Sequence, residues 1–165
     1  MINNDIRLQN FIDLKIEEKI MVLEWRNEKL VRKWMYSSEK ISEEEHFNFI
    51  EKLKMDNLNQ YFLVSYQDKK IGVVYFNDIS YKTKETFFGL YANPFEKVAG
   101  VGRILAEVCI KYVFDILKLD KLKLEVFSEN QRALNLYKKF SFKETKRKEM
   151  NGKEIICMEL KNENR

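Results

Sequence analysis

The stretch at residues 87–105, FFGLYANPFEKVAGVGRIL, restricts the fold of this chain more than any other part of the sequence. Strand-forming residues lead into a loop with Pro94, and Gly100-Val101-Gly102 then stand directly before a helix-like apolar period. Glycines at a helix start let the backbone approach a ligand, and the unpaired N–H groups there favour an anion. With Lys97 and Arg103 nearby, the spacing predicts a strand–loop–helix unit that binds phosphate.

This glycine pair belongs to neither of the two commonest phosphate-binding loops. The dinucleotide fingerprint needs a third glycine where this chain has Leu105, and no glycine is followed by Lys and then Ser or Thr. Glycines also stand before helices where a loop simply needs their backbone freedom. The pair alone therefore does not identify a ligand.

The remaining periodicity predicts a single domain over residues 1–165. Ser42 and Glu45 form a capping-box pattern, and Asn151-Gly152 is the preferred pair for a two-residue hairpin turn. We expect an α/β (α+β) fold, with a mostly antiparallel mixed sheet of about seven strands flanked by helices. Strands are expected at residues 6–8, 61–66, 71–79, 85–92, 122–127, 142–150 and 153–160, with a turn at residues 67–70. Helices are expected at residues 16–27, 28–35, 42–53, 101–117 and 132–140.

Two of these helices show their apolar face clearly, because apolar residues recur with the helical period. The faces expected to be buried are Phe47, Ile50 and Leu53 in the first, and Ile104, Val108, Tyr112 and Ile116 in the second. On the strand at residues 122–127 the alternation places Glu125 opposite the apolar face.

The charge pattern argues against a nucleic-acid partner. The chain has 30 basic and 26 acidic residues, a formal net charge of +4, and the two signs are mixed along its length. The basic run Lys146-Arg147-Lys148 lies between Glu144 and Glu149, which is typical of a solvated strand face rather than a polyanion site.

Cysteine and histidine content argues against metal and disulfide chemistry. Two separated cysteines, Cys109 and Cys157, and one histidine supply neither a zinc motif nor a disulfide framework, so we expect no metal. Residues 1–5 show no signal-peptide pattern, and no apolar run is long enough to span a bilayer. We therefore expect a cytoplasmic location and no membrane contact.

A second segment, residues 122–142, combines a strand, Asn130, a helix with Leu136-Tyr137, and a return to strand. Together with the glycine pair it resembles the acetyl-CoA motifs of the GCN5-related N-acetyltransferases, the GNAT family. The first motif of that family is Gln/Arg-x-x-Gly-x-Gly/Ala, and the second is Asn-x-x-Ala-x-x-Leu-Tyr-x-x-x-Gly-Phe. The resemblance implies a GNAT fold, splayed between its fourth and fifth strands, and acetyl-CoA as the cofactor.

Two positions depart from these family motifs. Lys97 stands where the family usually has Gln or Arg, which keeps a donor but loses bidentate geometry. Ser141 replaces the glycine that usually ends the helix, so a left-handed backbone there should be strained.

The family resemblance also implies the cofactor contacts. The amides of residues 98–103 would hold the pyrophosphate, and the strand end at residues 90–92 would pair with the pantetheine arm as an added strand does. An N–H near Leu90 would polarise the thioester carbonyl, and Asn130 would hydrogen-bond the pantetheine. The full implied set is Leu90, Tyr91, Ala92, Lys97, Val98, Ala99, Gly100, Val101, Gly102, Arg103, Asn130, Ala133 and Tyr137.

The resemblance assigns Tyr137 as the acid that protonates the departing thiolate. An amine attacks only when it is neutral, so a base or a water relay is also needed. Glu125 is the first candidate, and a salt bridge with a lysine is its alternative. Ser80, acting through water, is the second candidate, and His46 is the third.

Aromatic and sulfur-containing residues in the N-terminal half suit stacking on a base or a sugar face. The chain further resembles the N-acetyltransferases of the bacterial pseudaminic acid pathway, which supplies the sugar for flagellin glycosylation. That resemblance rests on the Trp-Arg-Asn, Val-Arg-Lys-Trp-Met-Tyr and Ile-Ser-Glu-Glu-Glu-His-Phe runs and on the Tyr-Phe-Leu-Val strand. It implies a nucleotide-sugar acceptor, a UDP-linked 4-amino-4,6-dideoxy sugar, bound by Met35, Tyr36, Phe49, Tyr91 and Glu125.

Two other functions stay open at the level of the sequence. The ribosomal-protein acetyltransferases share the Trp-Arg-Asn region, so a protein N-terminus is an alternative acceptor. A catalytically silent acyl-CoA-binding domain is a third interpretation, against which the presence of Asn130 and Tyr137 argues. Exposed sheet edges in this fold often pair, so a homodimer is compatible with the sequence.

Overall fold

A computed structural model describes residues 4–165, so the first three residues of the segment examined for a signal peptide lie outside the described residues. The strands are β1 (Ile6–Asn10), β2 (Gln60–Tyr66), β3 (Lys69–Ser80), β4 (Glu85–Ala92), β5 (Lys121–Phe127), β6 (Lys143–Met150) and β7 (Lys153–Lys161). The helices are α1 (Ile16–Asn27), α2 (Lys29–Arg32), α3 (Glu43–Leu53), α4 (Val101–Lys111) and α5 (Gln131–Lys139).

The seven strands form one sheet in the order β1-β2-β3-β4-β5-β7-β6. Every neighbouring pair is antiparallel except β4 and β5, which run parallel. The predicted mostly antiparallel mixed sheet flanked by helices is therefore confirmed.

The parallel pair comes apart soon after it begins. Hydrogen-bonded pairing joins Glu85, Thr86 and Phe87 of β4 to residues 121–123 of β5 and then stops. The rest of β4 continues beside β3, and the rest of β5 continues beside β7. A slot therefore opens between the two strand ends, as the family resemblance led us to expect.

Each face of the sheet has its own core. On one face α4 and α5 bury the larger cluster, which includes Leu105, Val108, Leu124 and Leu134. On the other face α1 and α3 cover the β2–β3 region with a smaller cluster made of Phe11, Leu14, Val22, Trp25, Ile50, Leu53, Leu63 and Val73. Burying one such aliphatic side chain contributes about 1.5–3 kcal/mol, so both layers are anchored by apolar contact.

The buried face predicted for the helix at residues 101–117 is wrong at its C-terminal end. Ile116 is 50% exposed, and the buried residues there are Val113 and Phe114. After Lys111 the helix continues as a wider π-helical turn, Tyr112–Ile116. The wider turn shifts the phase of the side chains, so a regular 3.6-residue period no longer identifies the buried face.

The helix cap, the hairpin turn and the backbone at Ser141 have the conformations that the sequence predicted. Ser42 Oγ accepts from the Glu45 amide at 3.2 Å and the Glu45 carboxylate accepts from the Ser42 amide at 3.0 Å, which confirms the capping box. Asn151 and Gly152 have φ values of 52° and 76°, as the predicted hairpin turn requires. Ser141 has φ 70°, the left-handed backbone expected where the family has glycine.

Two predicted boundaries were too wide. The turn predicted at residues 67–70 is the pair Gln67 and Asp68 alone, because both have positive φ and β3 begins at Lys69. The helix predicted at residues 28–35 is confined to α2, because the chain leaves the helix after Lys33.

Candidate active site

The slot between β4 and β5 presents different residues to its two sides. Phe88, Leu90 and Ala92 of β4 pack towards α4 and α5. Tyr91 packs on the opposite side, with the cluster under α1 and α3. Because side chains alternate along a strand, Gly89 also faces that side. We refer to the first side as the helix α4 side and to the second as the helix α1 side.

The start of α4 offers an anion site on the helix α4 side. Gly100 is the N-cap in the left-handed conformation, with φ 72°, and an ideal Cβ placed there meets nothing within 4 Å. A Cβ on Gly102 would meet only Leu136, at 3.4 Å. The Val101 amide donates to the Val98 carbonyl at 3.2 Å, whereas the amides of Gly102 and Arg103 have no acceptor further back in the helix. These amides fit a pyrophosphate group.

Two positively charged side chains lie near the start of α4, and neither is held in place by a short ion pair within residues 4–165. Lys97 is exposed in the preceding loop. Arg103 has a side chain that is 76% exposed, and its contact with Glu107 is long, at 3.8 Å. Both cations are therefore free to move towards an anion at the first turn of α4.

Asn130 combines a structural contact with a free donor. It is the N-cap of α5, and its Oδ1 accepts from the Ala133 amide at 3.2 Å. This cap leaves the side-chain Nδ2 donor available beside the slot. The residue can therefore hold the helix in place and still bind an amide of a pantetheine arm.

Tyr137 lies on the helix α4 side against β4. It is 7% exposed, and its ring packs 5.7 Å from both Phe88 and Phe142. Burial raises the pKa of the Tyr137 phenol, so the group keeps its proton at neutral pH. A protonated phenol at this position can act as a donor and as an acid.

Glu125 is placed on the helix α1 side and is already paired. Its carboxylate accepts from the Tyr36 hydroxyl and from Lys148 Nζ, the latter at 2.8 Å. The hydrogen bond to Glu125 raises the pKa of Lys148. The salt bridge with a lysine, the alternative weighed for Glu125 in the sequence, is present in the structure, and it suits a residue that positions a ligand.

The loop that carries Tyr36 is tied down by backbone contacts. Arg26 Nη2 donates to the Ser37 carbonyl at 2.9 Å. Asn27 both donates to and accepts from the backbone of Ile41, at 2.8 Å in each case. The Tyr36 ring then packs edge-on against Phe127 of β5, 5.9 Å away. This segment therefore bridges from α1 to β5 across the slot.

Aromatic rings line the helix α1 side between this loop and β4. Phe49 packs edge-on against Tyr61 at 4.9 Å, and Tyr61 stacks on Tyr75 at 4.9 Å with the planes 10° apart. Met35 Sδ lies 4.0 Å from the Tyr75 hydroxyl. Met35, Tyr36, Phe49, Tyr91 and Glu125, expected to form an acceptor pocket, thus face one surface.

Three members of this surface were missed in the sequence. Arg26, Tyr61 and Tyr75 lie beside Tyr91, close enough that their charges and hydroxyls influence one another electrostatically. Tyr61 and Tyr75 lie on the same face of a predicted hairpin. Their positions in the two strands were the sequence signal that could have identified them as members of this surface. The position of Arg26 depends on how α1 packs, which no local pattern specifies.

The structure contradicts Ser80 as a residue beside the slot. Ser80 pairs with Glu85 at the beginning of β4, where β4 and β5 are still joined, whereas Leu90 lies near the other end of that strand. Its Oγ accepts from the Thr83 amide at 3.1 Å and so closes a turn. The prediction failed because the strand register places Ser80 at the joined end.

His46 likewise does not reach the slot. It is 5% exposed between α3 and α1, and its ring Nε2 donates to the Lys19 carbonyl at 2.8 Å. Burial lowers its pKa. The ring is therefore a neutral bridge between two helices and not a base.

Among residues 4–165, no group of three or more His, Cys, Asp or Glu side chains could hold a metal ion. In the same part of the chain, no helix is both long enough and apolar enough to cross a bilayer.

Comparison with known proteins places this geometry among acetyltransferases. The model of the Acetyltransferase (GNAT) family matches residues 20–142. The acetyltransferase PseH of Campylobacter jejuni strain 81-176 is 41% identical over 137 residues, which cover 83% of this chain and 84% of that protein.

Solved structures agree with this placement. The crystal structure of Campylobacter jejuni N-acetyltransferase PseH in complex with acetyl coenzyme A has a TM-score of 0.76 at 37% identity, covering 95% of this chain and 99% of that one. The spermidine N-acetyltransferase of Vibrio cholerae with CoA and spermine has a TM-score of 0.85 at 24% identity, covering 98% of each chain. At that identity the second match speaks for the fold alone.

The buried position of His46 predicts a specific dependence of stability on pH. Its pKa in the folded protein lies below the ordinary value of 6.5, so the unfolded chain binds the proton more readily. The free energy of unfolding should therefore fall as the pH drops below about 6.5. In His46→Gln, whose amide can still donate to the Lys19 carbonyl, this fall should be smaller. Urea denaturation at about pH 8 and about pH 5.5 tests this; equal losses in both proteins would contradict it.

Proposed function

This chain belongs to the GNAT acetyltransferase family, and from that premise we propose that its acceptor is the 4-amino group of a UDP-linked 4-amino-4,6-dideoxy sugar. The reaction is an N-acetylation with acetyl-CoA as the acetyl donor. The observation that carries the acceptor is the match to acetyltransferase PseH over 83% of the chain. It agrees with the resemblance of the whole chain to enzymes of the pseudaminic acid pathway, in which this acetylation precedes flagellin glycosylation.

The described residues fit acetyl-CoA on the helix α4 side of the slot. The open first turn of α4 suits the pyrophosphate, with Lys97 and Arg103 as mobile cations. The free edge of β4 at residues 90–92 suits the amides of the pantetheine arm, because β5 no longer pairs with it. When bound, acetyl-CoA supplies the thioester whose acetyl group is transferred.

The remaining chemistry is divided between the two sides of β4. The Leu90 amide, on the unpaired edge, polarises the acyl oxygen. Tyr137 Oη, held protonated by burial, gives its proton to the departing sulfur on the helix α4 side. The neutral amine attacks the acyl carbon directly from the helix α1 side, so the chain needs no acylated residue of its own. The proton that the nitrogen loses as the amide forms passes to water, and Tyr137 regains a proton from water after the thiol has left.

The helix α1 side has the features of a sugar site and lacks those of a polyamine site. Tyr36 and Phe49 present partly exposed aromatic surface, and Met35 adds an adaptable apolar contact. Its carboxylate, Glu125, is already neutralised by Lys148, while Arg26 adds a half-buried positive charge. A polycation would be repelled by Arg26 and would have to compete with Lys148.

A panel of acceptors tests the proposed function. Free-thiol release from acetyl-CoA is measured with a UDP-4-amino-4,6-dideoxy sugar, with spermidine and with a ribosomal N-terminal peptide. Turnover should be confined to the nucleotide sugar. Turnover with the peptide or spermidine alone would overturn the acceptor, and acetyl-CoA binding without turnover of the sugar would favour a regulatory acyl-CoA-binding protein.

Tyr137→Phe should lower kcat by roughly 100-fold, because it removes the proton that the departing sulfur needs. The ring remains, so packing against Phe88 and Phe142 and the Kd for acetyl-CoA should not change. Tyr112→Phe is the control, because the Tyr112 hydroxyl bonds Gln60 at 2.7 Å, away from the slot. Steady-state kinetics and calorimetry provide the two readouts, and an undiminished kcat in Tyr137→Phe would rule out the acid role.

Gly102→Asp should weaken acetyl-CoA binding by roughly 10-fold or more, because it puts a negative charge where the pyrophosphate binds. The fold should tolerate it, since an acidic residue is favourable in the first turn of a helix. Gly102→Ala is the matched control: its Cβ meets only Leu136 at 3.4 Å, so affinity should be retained. Titration calorimetry compares the variants, and equal Kd values for Asp and Ala would refute the phosphate assignment.

A further inference from the structure

Tyr75 and Gly89 form a cross-strand pair that lies against the slot. They are directly opposite each other in the β3–β4 register. The Tyr75 ring folds across the glycine so closely that an ideal Cβ on Gly89 would lie 2.1 Å from Tyr75 Cζ and 2.2 Å from its hydroxyl oxygen. Only glycine admits the ring here, so the hydroxyl is held against the β4 backbone.

This placement brings the Tyr75 hydroxyl next to the Leu90 amide. The amide nitrogen of Leu90 follows Gly89 directly along the chain, so backbone dimensions put the Tyr75 hydroxyl oxygen within about 6 Å of it. Tyr75 approaches from the helix α1 side, whereas Tyr137 approaches β4 from the helix α4 side. The two phenols therefore flank the same part of β4 from opposite faces.

The Tyr75 hydroxyl has hydrogen-bonding capacity to spare. The partner that the structure gives it is Met35 Sδ at 4.0 Å, a weak acceptor at long range. The residue as a whole is half-buried, so part of its side chain remains accessible. Burial raises the pKa of Tyr75, so the group is a neutral O–H that can donate and accept.

A nearby nitrogen atom of Arg26 also has hydrogen-bonding capacity that is not used. Within residues 4–165, Arg26 Nη1 is a buried side-chain nitrogen without a hydrogen-bond partner. Burial lowers the pKa of Arg26, and Tyr91, Tyr75 and Tyr61 lie close enough to interact with its charge. Unpartnered polar groups in a partly buried pocket are costly unless a ligand satisfies them. The Tyr75 hydroxyl and Arg26 Nη1 therefore offer hydrogen bonds to a polar ligand on the helix α1 side.

We propose that the Tyr75 hydroxyl accepts a hydrogen bond from the attacking amine of the acceptor and so directs the nitrogen lone pair towards the acyl carbon. This rests on the proposed function, and it adds Tyr75 as a substrate-contacting residue that sets where the amine is held. Tyr75 keeps its proton and exchanges none with the substrate. Gly89 is the residue that allows this position, because any larger side chain would displace the ring.

Tyr75→Phe tests the role of the hydroxyl alone. The ring and its stack on Tyr61 are kept, so the melting temperature and the KM for acetyl-CoA should not change. We expect kcat/KM for the UDP-4-amino sugar to fall roughly 10- to 100-fold, the usual effect of losing a hydrogen bond that positions a reacting group. Tyr112→Phe is the control: its hydroxyl bonds Gln60 at 2.7 Å, away from the slot, and full activity is expected.

The outcomes separate this inference from the proposed function. Unchanged kcat/KM in Tyr75→Phe, in an enzyme that acetylates the nucleotide sugar, overturns the inference and leaves the function standing. Equal losses in Tyr75→Phe and Tyr112→Phe also overturn it, because they point to a general effect of removing a tyrosine hydroxyl. Absence of sugar turnover in the wild type overturns the proposed function and this inference with it.

Discussion

The parting of β4 from β5 is the constraint on which the rest of this molecule depends. Three residue pairs join the strands, and beyond them each strand keeps only its other neighbour. Backbone groups left unpaired inside a protein must find partners. The free edge of β4 is therefore a built-in place for an extended, amide-bearing ligand, and α4 begins where the phosphate end of such a ligand would lie.

The same opening divides the chemistry between two layers of the protein. The helix α4 side carries the open first turn of α4 and a buried phenol, Tyr137, within the larger core. The helix α1 side supplies a smaller core, an aromatic stack and a loop tied to α1 through Arg26 and Asn27. Because the sheet separates the two layers, the acceptor side can differ between relatives while the cofactor side is kept.

How far the sequence predicts this structure depends on whether a feature is local. The Ser42 cap, the Asn151-Gly152 turn and the bounds of β4 follow from residues close together in the chain, and each was predicted correctly. The slot was anticipated only through the family motifs, because no local pattern encodes the loss of pairing between two strands.

Features that depend on register or packing were missed or misplaced. Ser80 was a candidate base acting through water, and only the β3–β4 register shows that it pairs with Glu85 at the joined end of β4. The sequence makes His46 a candidate base, but in the structure its ring is bonded to the Lys19 carbonyl of α1. The apposition of Tyr75 and Gly89 requires both the register and a ring conformation, so it can be seen only in three dimensions.

The outer strand β6 affects how readily copies of this chain associate through their sheet edges. From Lys143 to Glu149 every residue is exposed, and six of these seven positions are charged. An open sheet edge invites strand addition from neighbouring chains, and charged side chains make that addition costly. The abundance of lysine and glutamate at the end of the chain thus serves as protection against aggregation.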